Sequence, residues 1–109
     1  MRKRFTVSVS HIGTSARTVD GYGSFSRSYR AVASGGQGDY LYKFEVFTSA
    51  RSRKPHADLT RDFSREDSYG LGYKGYEDEI GGYVLKVTAR DGAGNQAVCH
   101  CELLQKDEE

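Results

Sequence analysis

The chain holds 109 residues, 37% of them hydrophobic and 28% charged, enough for one core and far from the charge-dominated composition of a disordered polypeptide. Sixteen Lys and Arg against fifteen Asp and Glu leave a formal charge of +1, which excludes a whole-chain field strong enough to steer the molecule to nucleic acid or an anionic membrane. Eight Tyr and five Phe without Trp, thirteen Gly and a single Pro predict an aromatic core joined by glycine turns, and no apolar run approaches the ~18 residues of a membrane span.

The opening Met1-Arg2-Lys3-Arg4 resembles the basic start of a signal peptide, but Ser8, Ser10 and His11 break the apolar run that must follow. Export from this N-terminus is not expected. The protein is expected to be cytoplasmic if the chain is complete, and at the cell surface or secreted if it is a domain of a longer one. Phe5, Val7 and Val9 alternate with Thr6, Ser8 and Ser10, the period of a half-buried strand. Phe25 to Ala33 predicts a second strand, whose buried face stays open because Tyr29 and Ala31 compete with Val32.

Ser34 to Asp39 is glycine-rich turn sequence, after which Tyr40, Tyr42, Phe44 and Val46 alternate with Lys43 and Glu45. Ser49 to Arg65, with Arg51, Arg53, Lys54, Pro55 and His56, predicts a charged surface loop. Tyr69 to Tyr76 interleaves tyrosine with glycine and predicts an exposed aromatic loop, with an irregular edge strand as the alternative. Tyr83, Leu85, Val87 and Ala89 form another alternating run, and Asp91 to Asn95 is hairpin sequence leading into Ala97, Cys99, Cys101 and Leu103. About seven short strands result, the count of a β-sandwich occupying residues 1–109 as one domain.

No motif points to catalysis. Cys99 and Cys101 share one face of a strand and diverge, so they read as free thiols; His100 lies on the opposite face, and a tetrahedral zinc site needs four ligands. Gly92-Ala93-Gly94 lacks the following helix of a phosphate loop, and Glu77, Asp78 and Glu79 are contiguous where a calcium loop spaces its ligands. No Ser/His/Asp or Cys/His set stands out. The chain therefore reads as non-enzymatic, with no metal and no cofactor. Tyr83, at the start of the penultimate strand, is placed as in a tyrosine corner, whose hydroxyl bonds back to upstream backbone.

Gly38 to Phe47, then Asp62-Phe63-Ser64 with Ser68-Tyr69, then Gly82 to Asn95, resemble the triple-tyrosine and related Ig-like modules repeated in bacterial surface and sensor proteins. The resemblance covers residues 30–103 and implies an all-β, immunoglobulin-like antiparallel sandwich acting as a non-catalytic adhesive or interaction domain. The arginine-rich segment from Ser49 to Arg61 has no counterpart in it. The expected function is protein binding. An alternative is a free-standing antagonist from a phage or mobile element that inhibits a host protein, for example a defence nuclease; a weaker one is nucleic-acid binding through the basic segments. Subtracting the core leaves Arg51, Arg53, Lys54, Tyr69, Tyr73 and Tyr76 as the expected contact residues. Residues 1–61 carry a balance of +7 and residues 62–109 one of −6, which reads as two halves complementing each other within the fold.

Overall fold

The computed structural model of the protein describes residues 4–103. Seven strands follow in chain order: β1 (Thr6–Val19), β2 (Tyr22–Ser34), β3 (Leu41–Phe47), β4 (Arg61–Ser64), β5 (Ser68–Tyr76), β6 (Val84–Arg90) and β7 (Gln96–Glu102). They form two antiparallel sheets, ordered β1-β2-β5 and β4-β3-β6-β7. This is an immunoglobulin-like sandwich in which the short β4 has joined the sheet of β3. Two 3₁₀ turns, Ala57–Leu59 and Glu77–Ile80, are the remaining regular elements among the described residues.

Alternation sets the second sheet. Phe44 pairs with Val87 and Val87 with Cys99, while Val46 pairs with Leu85 and Leu85 with Cys101. Phe44, Val46, Leu85 and Val87 are all 0% exposed, so the expected common core is present. In the first sheet the face left open by the sequence is decided by Tyr29 and Ala31, each 1% exposed, whereas Val32 points outward at 55%.

Three stretches differ from expectation. β1 continues past Ser10 through a register shift at His11/Gly13 to Val19. The loop expected from Ser49 to Arg65 contains a 3₁₀ turn and β4. Tyr69 to Tyr76, expected as an exposed aromatic loop with an edge strand as the alternative, is the edge strand β5, with Tyr69 and Leu71 buried.

Tyrosine hydroxyls tie the elements together. Tyr29 receives the Arg27 Nε–H at 3.0 Å and donates across the sandwich to the Leu103 carbonyl at 2.9 Å. Tyr40 donates to the Gly35 carbonyl at 2.6 Å, Tyr73 to that of Glu77 at 3.0 Å, and Tyr69 to that of Leu59. The corner expected at Tyr83 is held by backbone instead: its N–H donates to Ile80 and its carbonyl accepts from Leu103, both at 3.0 Å.

Asp91, 4% exposed, anchors one end of the sandwich. Its Oδ1 accepts the N–H groups of Ala93 at 3.0 Å and Asn95 at 2.8 Å; its Oδ2 accepts Gln37 N–H and Asn95 Nδ2, each at 3.0 Å. Burial pushes this carboxyl's pKa up, but the bonds from Asn95, Gln37 and Ala93 outweigh it and hold the pKa below its ordinary 3.8. A depressed folded pKa gives stability that is present above the unfolded value and lost as pH falls through the folded one. Asp91→Ala is therefore expected to lower the urea midpoint at neutral pH and to flatten its decline in acid. An unchanged midpoint at neutral pH would show the cluster to be incidental.

Candidate functional site

The outer face of the β1-β2-β5 sheet is built by strand register. At its tip the turn between β1 and β2 uses Asp20 (φ 54°) and Gly21 (φ 83°), the left-handed pair that a tight hairpin demands. The row behind that turn joins Val19 to Tyr22 and Tyr22 to Tyr76, exposed to 78%, 46% and 51%. The two tyrosine rings meet edge to face with centroids 5.2 Å apart. The next row joins Arg17, Ser24 and Lys74, followed by Ser15, Ser26 and Gly72, then Gly13, Ser28 and Gly70. Arg30, opposite Ser10 and Ser68, closes the lane.

No Asp or Glu occurs in β1, β2 or β5. The charged side chains of this sheet, Arg17, Arg27, Arg30 and Lys74, are all basic, although β5 comes from the acidic half of the chain. Small side chains keep the middle of the face flat. Serine and glycine lose little rotamer freedom on contact, and tyrosine and arginine are the residues on which interface energy concentrates. The three outward cations Arg17, Arg30 and Lys74 match only about three phosphates, few compared with the six to ten contacts of a tight nucleic-acid complex. A protein surface is the better match.

The expected contact residues divide between two places. Arg51, Arg53 and Lys54 are exposed on the β3–β4 connection. There Arg53 joins Lys86, His100 and Phe47 around a shallow hollow of about 270 Å³. Tyr69 is 6% exposed and is core, so a partner does not reach it in the closed sandwich. Tyr73 is half-buried, stacked on Phe25 with centroids 5.1 Å apart and its hydroxyl bonded to Glu77. Of the three tyrosines, Tyr76 alone presents an open ring. Val19, Tyr22, Arg17, Arg30 and Lys74 were missed, although Asp20-Gly21 is a hairpin signal legible in the sequence.

The basic N-terminal segment is described only at Arg4, which is exposed; residues 1–3 lie outside the described residues. Cys99 and Cys101 are free thiols on β7. Burial raises the pKa of both, and Cys99 adds to the effect at Cys101, which reaches about 11. Among the described residues no group of three or more His, Cys, Asp or Glu is placed to hold a metal ion, and no helix is long and apolar enough to cross a membrane. No protein family, curated protein or solved structure matches the chain.

Proposed function

We propose that the chain is a non-enzymatic protein-binding module, of the bacterial Ig-like kind its motifs resemble, and that it binds through the outer face and tip of the β1-β2-β5 sheet. The observation that carries this reading is the exposed row Val19, Tyr22 and Tyr76 beside an acid-free lane of serine, glycine, arginine and lysine. Three apolar or aromatic side chains left in water on neighbouring strands need a use, and a desolvated contact supplies it. The flat lane around them fits a complementary surface with little ordering cost.

The test is cross-linking of the immobilised domain to proteins of a bacterial extract, followed by affinity measurement on the partner identified. Tyr22→Ala with Tyr76→Ala is expected to weaken that complex by roughly thirtyfold or more, mostly through faster dissociation. Arg17→Glu with Lys74→Glu is expected to slow association and change its salt dependence. A variant neutralised at Arg51, Arg53 and Lys54 serves as the comparison. If the folded face variants bind like the parent while the loop variant fails, the interface belongs to the β3–β4 connection and the face reading is wrong.

A further inference from the structure

We infer that the partner supplies an extended acidic segment that adds as a fourth strand along the free edge of β1; this rests on the protein-binding reading above and specifies its mode. Among the described residues β1 stands at the end of its sheet, with β2 on one side and no strand paired on the other. It is 14 residues long, and from Ser10 to Asp20 the chain is exposed without a break. Open edges of this length are normally blunted by proline, bulges, charge or a covering element, because unpaired N–H and C=O groups are a template for another strand. β1 has no proline, one register shift at His11/Gly13, and Arg17 as its sole Lys or Arg.

Beyond that shift the seven residues Gly13–Val19 pair with β2 without interruption. In an antiparallel ladder alternate residues direct both backbone groups to the same neighbour, so about three or four of the seven direct theirs outward.

Charge chooses the occupant. An added strand lies beside Arg17, with Arg30 one strand further in and Lys74 two strands further in on the same face; no carboxylate lies on any strand of the sheet, and Asp20 follows only in the turn past Val19. A second copy of β1 brings another Arg17 with the single Asp20 beyond its end, so the charges only cancel, and nucleic acid has no peptide groups to continue the ladder. Extended polypeptide rich in Asp or Glu satisfies both backbone and charge. The other edges fit less well: β5 carries Gly70, Gly72 and Gly75, the last at φ 150°, β4 is only 4 residues long and carries Asp62, and β7 carries Glu102.

The experiment titrates the labelled protein by NMR with two synthetic peptides of about ten residues, the usual upper length of a strand, one alternating valine with glutamate and the other valine with lysine. The glutamate peptide is expected to bind about tenfold or more tightly than the lysine peptide and to slow amide exchange within Gly13–Val19. Arg17→Glu is expected to reverse the preference. Equal binding of both peptides, protection confined to β5, β7 or the hollow at Arg53, or concentration-dependent dimerisation through β1 each overturns the inference. If the peptides fail while Tyr22→Ala with Tyr76→Ala still weakens the cross-linked partner, strand addition falls and the protein-binding reading stands.

Discussion

Phe44→Ala is expected to destabilise the fold by about 3–5 kcal/mol, the range for a large buried ring. Phe44 is 0% exposed at the centre of β3 and stacks on Tyr69 of the facing sheet, centroids 5.1 Å apart and planes 11° from parallel. The Arg61 guanidinium lies 4.7 Å from the ring centroid on β4, and the Arg61 Nε is buried without a hydrogen-bond partner. Truncation thus opens a cavity between the sheets and removes the aromatic seat of a partly buried cation. Against the 5–15 kcal/mol typical of a domain, that is about a fifth or more of the total. Urea denaturation is the measurement: the midpoint falls with an unchanged slope, and Phe44→Leu loses much less. A loss for Phe44→Ala below about 1 kcal/mol would mean that β3 does not carry the core.

The elements legible in the sequence are those with one dry face and one wet face. β3, β6 and β7 alternate because Phe44, Val87 and Cys99 form one cross-sheet row facing the core while Glu45, Lys86 and His100 form a row on the opposite face. The second half of β1 left no such imprint, since Ser10 to Val19 is exposed on both faces and burial selects nothing there. β5 was obscured differently. Gly70 and Gly72 occupy its outward positions, so the period of two shows only in Tyr69, Leu71 and Tyr73 on the inner side.

The same physics explains which site residues were legible. Loop position and charge single out Arg51, Arg53 and Lys54, but the lane of Arg17, Ser24 and Lys74 exists only once three strands, distant in sequence, are in register. Tyrosine content alone does not separate Tyr69, which faces Phe44, from Tyr76, which faces solvent. That difference is one of strand parity, which a single glycine-rich stretch does not declare.

Raising the pH above about 10 is expected to unfold the protein. Burial raises the pKa of Tyr29, Tyr42, Tyr69 and Tyr73 above the ordinary 10.0, that of Tyr69 to about 12. Three of these hydroxyls, on Tyr29, Tyr69 and Tyr73, donate to backbone carbonyls, a bond that a phenolate cannot make. The folded state therefore keeps protons that the unfolded chain releases near pH 10. A raised folded pKa means stability fully present below the unfolded value and lost as pH climbs toward the folded one, here from 10.0 to about 12. Urea midpoints are expected to hold steady up to about pH 9 and to drop steeply by about pH 11.5. Phenolate absorbance is expected to rise in two phases, the later coinciding with loss of the β-sheet circular dichroism signal. Tyr69→Phe removes the highest of these pKa values and flattens the alkaline decline, while the unpartnered Leu59 carbonyl costs about 1–3 kcal/mol at neutral pH. Ionisation of all eight tyrosines in a single step with the fold intact would refute the inward hydroxyl bonding on which the sandwich depends.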